Sequence, residues 1–491
     1  MRLHRRVFTA VVVSLMTPAL FSQTHIHREV DELILAGRLD EAEKKAEENL
    51  RKYPGNPEAV CALACVYRNR ARKSLLRIDL AKAGIKEGES GSYPLKGADD
   101  IGTVFSEAYT YDRQSYARAE ALYFEIIEMD PHYHNAYFNL LNDYLEMEEF
   151  GNYFKVLDAF IANLKDRDDT PDYLLDLGSK LMQGNRLDEA LELYRRVADG
   201  FPGRIEAKSD MGAVYFRKGE IPRALGVFSM VFEIDGDDRI NLDNYILAAL
   251  LTEDFETVFD LYGRKISLEP ESHGCLFDRG LAALLLGREY RPCFEAFVEK
   301  QKKASRDPEN DFWLHHAAAI LDVENKEEEE KIRYFEFLSA EFHRGGMLGQ
   351  ALMTSNIVEK LRPTDAALMI QASIFDRFNF YDKTMECLDA LSERRKTNAA
   401  VISEYDLNFN YGRIHYVSGR YGAAIPYLRT CFRIDGKNAL LNHLLGLCCL
   451  KAGDRGEAVR YFTINKEMED AAQLEYINLS IRELGKLDAG N

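Results

Sequence analysis

The hydrophobic residues of this chain recur with a helical period inside units of constant length. Over residues 171–238, apolar positions fall three and four residues apart, which is the pattern of helices that each bury one face. Two such faces, separated by a short polar break, make one unit of 34 residues. Matched positions in the two units are Leu177, Gly178, Ala190, Tyr194 and Val197, then Met211, Gly212, Ala224, Phe228 and Val231. A fixed period of this length predicts stacked helical hairpins.

The polar breaks in these units have the chemistry of helix ends. Glycine at Gly184–Asn185 and Lys218–Glu220 accepts the left-handed backbone that commonly ends a helix. Two further glycines, Gly178 and Gly212, fall inside the predicted first helices, where glycine costs about 1 kcal/mol relative to alanine. We therefore expect a neighbouring helix to approach the backbone closely at both positions.

The same phase continues along most of the chain. The position equivalent to Ala190 recurs mostly at 34-residue intervals, at Ala119, Tyr153, Ala190, Ala224, Val258, Pro292, Ala424 and Ala458. The spacing of these positions, together with the small residues in the first helices, resembles the repeat pattern of the tetratricopeptide repeat (TPR) family. The resemblance implies an all-α, right-handed superhelical solenoid of helix-turn-helix hairpins.

The repeat pattern divides the chain into four predicted segments. They are a signal peptide at 1–22, repeats at 23–308, degenerate helical repeats at 309–404, and C-terminal repeats with a capping helix at 405–491. An insertion at about 73–114 separates the two helices of the second unit. Insertions in solenoids map to loops and often to the binding face, and surface decoration is the alternative.

The N-terminus differs from the rest of the chain. Basic residues in Met1–Arg6 precede the apolar segment Val7–Phe21, which predicts a secretory signal peptide cleaved after Ser22. The expected location is therefore periplasmic or otherwise extracytoplasmic, in a bacterial envelope. An uncleaved N-terminal anchor is the alternative. We expect no stable membrane span after cleavage, because no second apolar stretch is long enough.

Charge and cysteine content narrow the functional classes. The net charge of −18 and pI of about 5.2 argue against a nucleic-acid partner, which requires a basic face. Eight cysteines lie inside predicted helices, mostly on packing faces, so we interpret them as core residues and not as a disulfide framework.

Catalytic motifs are absent from the sequence. There is no phosphate-binding glycine loop, no His-Glu-x-x-His and no Gly-x-Ser-x-Gly. We therefore predict no catalytic residues, no cofactor and no metal site, and interpret the chain as a non-enzymatic scaffold for a protein or peptide partner. The alternative is an enzyme or small-ligand-binding protein with its site in 309–404 or 73–114.

The TPR resemblance also implies where a partner binds, because certain first-helix positions line the concave groove in that family. Carried over, the predicted groove residues are Asn135, Phe138, Asn142, Phe216, Arg217, Phe277, Phe409, Arg413 and Tyr416, with Leu145, Ser179, Met182 and His443 at further equivalent positions. Aromatic residues beside arginines are typical of protein–protein hot spots. The alternative for each aromatic is packing between adjacent first helices. An apolar peptide with some acidic residues fits this groove, and replacing Phe216 and Arg217 by alanine is expected to weaken its binding by about 2 kcal/mol.

Overall fold

The computed structural model describes residues 25–78, 105–303, 308–397, 402–470 and 473–489, and helices dominate them. The described residues form 24 α-helices, one 3₁₀ turn and a two-stranded ribbon. The helices before residue 204 are α1 His25–Leu35, α2 Leu39–Lys52, α3 Pro57–Ala71, α4 Arg113–Met129, α5 His134–Glu146, α6 Phe150–Leu164, α7 Thr170–Gln183 and α8 Leu187–Gly200. Those up to residue 321 are α9 Ile205–Arg217, α10 Ile221–Ile234, α11 Arg239–Leu251, α12 Phe255–Leu268, α13 Gly274–Leu286, α14 Arg291–Gln301 and α15 Pro308–Leu321. The remainder are α16 Glu328–Arg344, α17 Leu348–Leu361, α18 Asp365–Arg377, α19 Tyr381–Thr397, α20 Glu404–Val417, α21 Tyr421–Ile434, α22 Ala439–Lys451, α23 Arg455–Lys466 and α24 Leu474–Ala489.

Consecutive helices pack as antiparallel hairpins, which confirms the predicted all-α helical repeat solenoid. The hairpin turns repeat with the sequence period. Asn185, Gly219, Glu253 and Gly287 all have positive φ, at 57°, 75°, 60° and 69°, and follow one another at 34-residue intervals. This left-handed conformation ends the first helix of each hairpin and reverses the chain.

The mid-helix glycines lie under the rings of the helix that follows. A Cβ atom at Gly212 would lie 2.5 Å from Cε1 of Phe228, and Gly178 faces Tyr194 in the same way. Both rings are almost fully buried. The close helix approach expected from the sequence is therefore present, and the glycines make room for it.

The chain folds into two compact units. The first contains the described residues up to Gly184 together with Glu192–Arg204, and the second contains Asn185–Leu191 and the described residues from Ile205 onward. A core around Val30, Ala46 and Val66 lies at the start of the first unit. The largest core of the second unit extends from Ile221 to Cys387.

A short β-ribbon was not predicted from the sequence. Strand β1 (Arg72–Ile78) continues directly from α3 and pairs antiparallel with β2 (Phe105–Tyr111), with Arg72 opposite Tyr111. The two strands lie at the two ends of the segment interpreted as an insertion, whose residues 79–104 lie outside the described ranges. The available sequence signal was the placement of Phe105, Tyr109 and Tyr111 at alternate positions, which Glu107 interrupts.

A charged pair is buried in the first unit, beside this ribbon. The Arg68 guanidinium lies 2.6 Å from Oδ1 of Asp143, whose side chain is fully buried. The hydroxyls of Tyr111 and Tyr116 donate to the same carboxylate, at 2.7 Å and 2.9 Å. These four groups join α3, β2, α4 and α5, so the carboxylate fixes the base of the ribbon against the repeats.

The region predicted as degenerate repeats contains one irregular element followed by hairpins. Helix α15 ends at Leu321 and leads into a 3₁₀ turn at Val323–Asn325. Three acidic residues, Glu328–Glu330, form the first turn of α16, and Glu327 is its N-cap residue. Helices α16 and α17 then pair, and α18 pairs with α19. The loss of repeat pattern therefore reflects a change in helix spacing and not a loss of helices.

All eight cysteines lie in described helices as free thiols, and six of them are buried. None of the helices in the described ranges is long and apolar enough to cross a membrane.

Candidate functional site

The predicted groove residues of the first unit contact the next repeat. Phe138 on α5 packs against Tyr173 on α7 with ring centroids 3.9 Å apart. Asn142 donates through Nδ2 to the Phe138 carbonyl at 2.7 Å and to the Tyr173 hydroxyl at 2.8 Å. Phe138 and Asn142 therefore join adjacent first helices, which is the packing alternative raised above. Asn135 lies at the start of the same helix and is half-buried.

Phe216 has an internal partner in the second unit. Its ring lies 5.5 Å from that of Phe378, in the turn between α18 and α19, in an edge-to-face arrangement. Asn379 of this turn donates through Nδ2 to the Arg217 carbonyl at 3.3 Å. The end of α9 is therefore held by a turn more than 150 residues further along the chain. Replacing Phe216 is expected to affect this internal contact, so the double-alanine test stated above does not isolate partner binding.

Phe277 is a core residue, and its prediction as a groove contact is wrong in this structure. Its side chain is fully buried. Its ring meets Trp313 at 4.9 Å, Phe294 at 5.1 Å and Phe342 at 6.2 Å. The physical reason is that helices α15 and α16 close over α13, which the repeat pattern alone does not indicate.

His443 is enclosed for a similar reason. The C-terminal helix α24 covers it, and the Nδ1 atom of His443 lies 3.0 Å from Oγ of Ser480. Burial lowers the pKa of this imidazole. His443 therefore belongs to the packing of α24 onto the last hairpin and offers little surface to a partner.

Helix α17 covers the first helices of two earlier repeats. It packs against α11 and α13, and its residues 351–358 are all buried. Gln350 donates through Nε2 to Oδ1 of Asp278 at 2.8 Å. Lys360 donates through Nζ to the Leu285 carbonyl at 2.7 Å. The protein therefore occupies this part of its own first-helix surface, and a partner has no access to it while α17 is in place.

The contact at Asp278 gives a pH-dependent prediction. Burial raises the pKa of Asp278 to about 6, although Gln350 and Lys265 act in the opposite direction. Because the pKa is higher in the folded than in the unfolded chain, the folded state binds more protons between about pH 4 and pH 6. Stability contributed by the protonated form is therefore lost as the pH rises through this window.

We expect Asp278→Asn to raise the free energy of unfolding at pH 7 by about 1–2 kcal/mol, since the amide keeps an acceptor for Gln350 without a buried charge. Urea unfolding from pH 4 to pH 7 measures this difference. Asp237→Asn, at an exposed position, is the control and should leave the pH profile unchanged. If the stability of Asp278→Asn depends on pH in the same way as that of the wild type, the raised pKa of Asp278 is not correct.

The predicted residues on α20 remain accessible. Phe409 stacks on Tyr405 with centroids 6.0 Å apart, and Tyr416 meets Tyr421 at 5.7 Å. Arg413 forms an ion pair with Asp376 on α18 at 2.9 Å. Phe409, Arg413 and Tyr416 are all half-buried, so each keeps surface that a partner can contact.

Arg413 lies on the wall of a cleft between α18, α19 and α20. The cleft has a volume of about 240 Å³. Its lining residues are Met369, Ala372, Ser373, Asp376, Thr384, Leu388, Leu391, Ile402, Asn410 and Arg413. We call it the C-terminal cleft. Half of the lining residues are apolar, four of them on α18 and α19, and Ser373, Thr384, Asn410 and the Arg413–Asp376 pair supply the polar half. Met369 is 43% exposed, so part of its apolar side chain can contact a partner at the edge of the cleft.

Sequence reasoning found Arg413 but missed its neighbours in the C-terminal cleft. Met369, Asp376 and Leu388 belong to a repeat in which the hydrophobic pattern is weak. Their position beside α20 depends on how the α18–α19 hairpin packs against the next one. The available signal was a weak repeat unit that begins at about residue 365, in which Leu368, Ala372 and Leu388 keep the helical phase. Within the described ranges, no group of three His, Cys, Asp or Glu side chains is arranged to hold a metal ion.

Helical hairpins stacked in a solenoid define the class of this protein as a helical repeat protein. Family models described as tetratricopeptide repeat match residues 157–205, 175–238 and 405–438. These segments of the chain are therefore tetratricopeptide repeats. A comparison with curated proteins finds no match.

Several solved structures are similar to this chain at low identity. A tetratricopeptide repeat protein from Parabacteroides merdae is 14% identical, with 63% of this chain and 98% of that chain covered and a TM-score of 0.24. The APC/C hetero-tetramer Cut9–Hcn1 is 11% identical, with 93% and 96% covered and a TM-score of 0.26. YrrB, described as a TPR protein with an unusual peptide-binding site, is 17% identical, with 47% and 96% covered and a TM-score of 0.25.

Proposed function

We propose that this protein is a non-enzymatic scaffold of the cell envelope that binds a partner protein at the C-terminal cleft. The tetratricopeptide repeats support a role as a protein-interaction scaffold. We choose this surface because a cleft of about 240 Å³ beside Arg413 is accessible to a partner. The equivalent surface around Phe277 is buried inside the protein.

The composition of the C-terminal cleft favours a peptide segment with an apolar anchor. Buried Leu388, Leu391 and Ile402 can receive an apolar side chain, and hot spots form where such a side chain is desolvated. Asn410 and Ser373 can hydrogen-bond to a peptide backbone. The Arg413 guanidinium can pair with an acidic residue of the partner, since it presents several donors in a fixed plane. An extended or helical segment with an apolar anchor and an acidic neighbour is therefore the proposed ligand.

A pair of substitutions tests this surface. Met369→Ala with Arg413→Ala is expected to weaken partner binding by about 2 kcal/mol, because an exposed anchor contact and a charged donor are both removed. The measurement is the amount of partner that co-purifies with the full-length protein from its native source, quantified for the variant and for the wild type.

A matched control comes from α21, the second helix of the hairpin whose first helix carries Arg413. Ile434→Ala with Arg433→Ala removes the same kinds of side chain from α21, where Ile434 is 54% exposed. This control should retain the partner at the wild-type level. Equal retention by both double variants, with unchanged thermal melts, would argue against the C-terminal cleft as the binding surface.

The location in the envelope is the second element of the proposal, and it rests on the N-terminal sequence. The basic and apolar segments of residues 1–21 have the order of a signal peptide. We expect the mature protein from the native organism to begin near Gln23. N-terminal sequencing and cell fractionation measure this, and an intact Met1 on protein recovered from the cytosol would contradict it.

A further inference from the structure

A second cavity lies in the irregular part of the second unit, away from the C-terminal cleft. It has a volume of about 230 Å³, is partly open to solvent, and is bordered by α13, the 3₁₀ turn, α16 and α17. Its lining residues are Leu284, Leu285, Tyr290, Val323, Glu324, Lys331, Phe335, Ile357, Lys360 and Leu361. We call it the α13–α17 cavity.

The walls of the α13–α17 cavity are largely hydrocarbon. Leu285, Val323, Phe335 and Ile357 are each at least nine-tenths buried. An apolar cavity of roughly 150 Å³ is already large enough to hold benzene. The larger volume here accommodates one aromatic ring or a short aliphatic chain together with a small polar head.

More positive than negative side chains line this cavity. Lys331 and Lys360 both line it, whereas Glu324 is the only acidic residue that does. The Glu324 carboxylate is compensated by Arg291, whose guanidinium lies 3.3 Å away. A bound molecule therefore meets a net positive charge.

The two lysines have capacity for a new acceptor. Lys360 donates one N–H to the Leu285 carbonyl, which places its ammonium at the cavity wall with two donors remaining. Lys331 is half-buried and makes no ion pair within the described chain. A lysine ammonium that borders apolar walls is poorly hydrated on that side, so an anionic partner at this position gains from the contact.

Tyr290 adds one more polar group. Its side chain is 94% buried, and its hydroxyl makes no hydrogen bond of normal geometry within the described residues, although Glu324 is its charged neighbour. Buried hydroxyls usually have a partner, so an unsatisfied one beside a cavity indicates a place for a ligand acceptor or a water molecule.

We propose that the α13–α17 cavity binds a small carboxylate with an aromatic or short aliphatic body. The body lies against Phe335 and Ile357, and the carboxylate faces Lys331 and Lys360. An amine of the same shape would meet two ammonium groups, and a neutral molecule would leave them without a counter-charge. Because α17 also covers α11 and α13, a ligand here would stabilise the arrangement that closes this part of the first-helix surface.

Calorimetric titration of the full-length protein with phenylacetate, phenethyl alcohol and phenethylamine tests the proposal. Phenylacetate should bind with a Kd on the order of 10 µM to 1 mM, as expected for a ligand of this size. It should bind at least about tenfold tighter than the alcohol, because a hydrogen bond to a charged group is worth more than a neutral one. The amine should bind most weakly.

Two charge-removing variants on α16 separate the cavity from the general surface. Lys331→Met should weaken phenylacetate at least about tenfold and leave phenethyl alcohol unchanged. Arg333→Met removes the same charge two residues away, at a side chain that is 75% exposed, and should change neither. Ile357→Phe, which fills the cavity, should abolish binding of both ligands, and a thermal melt verifies that it folds.

Three results would overturn the proposal. The first is equal affinity for phenylacetate and phenethyl alcohol, which would remove the anion site. The second is an equal loss of phenylacetate affinity in Lys331→Met and Arg333→Met. This result would mean that the overall positive charge of the surface, and not Lys331 at the cavity, attracts the carboxylate. The third is absence of binding by every probe to wild-type protein at about 5 mM, well above the affinity expected for this size.

Discussion

Replacing Gly212 with leucine is expected to lower the free energy of unfolding of the second unit by about 3 kcal/mol. The cause is steric, because even a Cβ at this position would lie 2.5 Å from the buried ring of Phe228. That ring is 1% exposed and has no free space to move into. The leucine side chain must therefore separate α9 from α10 or displace the ring. Urea unfolding followed by circular dichroism measures the change.

Gly226 provides the matched control in the same hairpin. It lies on α10, is exposed, and has no atom within 4 Å of the position of an added Cβ. Gly226→Leu should leave stability unchanged or raise it by about 0.5–1 kcal/mol, since leucine has the higher helix propensity. If Gly212→Leu unfolds at the same urea concentration as wild type, the close packing of α9 against α10 is not correct.

The second large effect is expected at Asp143 in the first unit. Asp143→Ala should destabilise this unit by about 3–5 kcal/mol, because the Arg68 guanidinium is then left buried without a counter-charge. The Tyr116 hydroxyl loses its acceptor in the same substitution, whereas the Tyr111 hydroxyl keeps the Glu146 carboxylate at 2.7 Å. Thermal and urea unfolding of the variant measure the loss.

Two further variants distinguish a buried charge from a general loss of an ion pair. Asp237→Ala removes an exposed pair with Arg264 and should cost no more than about 1 kcal/mol. Arg68→Met combined with Asp143→Leu should recover much of the loss, since apolar residues of similar volume tolerate burial. If Asp143→Ala is as mild as Asp237→Ala, the charge at position 143 is not buried as described.

Local pattern was enough to predict the repeat architecture. The period fixes which residues face the neighbouring helix, so the glycines at 178 and 212 could be assigned to close helix contacts. Gly219 could be assigned to a left-handed helix end for the same reason, since its conformation depends on few neighbours. At the other break the left-handed residue is Asn185, and the glycine expected there, Gly184, has a φ of −74°.

Features that depend on distant parts of the chain were not predictable in this way. Phe277 occupies a groove position in its repeat, yet Trp313 and Phe342 bury it because α15 and α16 fold over α13. Helix α17 covers α11 through contacts that the repeat period does not contain. Arg68 and Asp143 are 75 residues apart, so only the folded chain brings them together.

The candidate site was predictable only in part. Arg413 was found from its repeat position, because α20 belongs to a regular hairpin. Its cleft was not found, since seven of the ten lining residues come from α18 and α19, whose spacing departs from the period. The α13–α17 cavity has seven of its ten lining residues within 309–404, the region that the sequence marked as an alternative location for a ligand site.

The central claim is that a partner protein contacts the first-helix surface at the C-terminal cleft. Site-specific photo-cross-linking in the native organism tests it most directly, with a photoreactive amino acid placed at position 369 and, as control, at position 434. Met369 and Ile434 are similarly exposed, at 43% and 54%, but only Met369 borders the cleft. The account predicts a discrete adduct with another protein from position 369 and none from position 434. No adduct from position 369, or the same adduct from both positions, would contradict it.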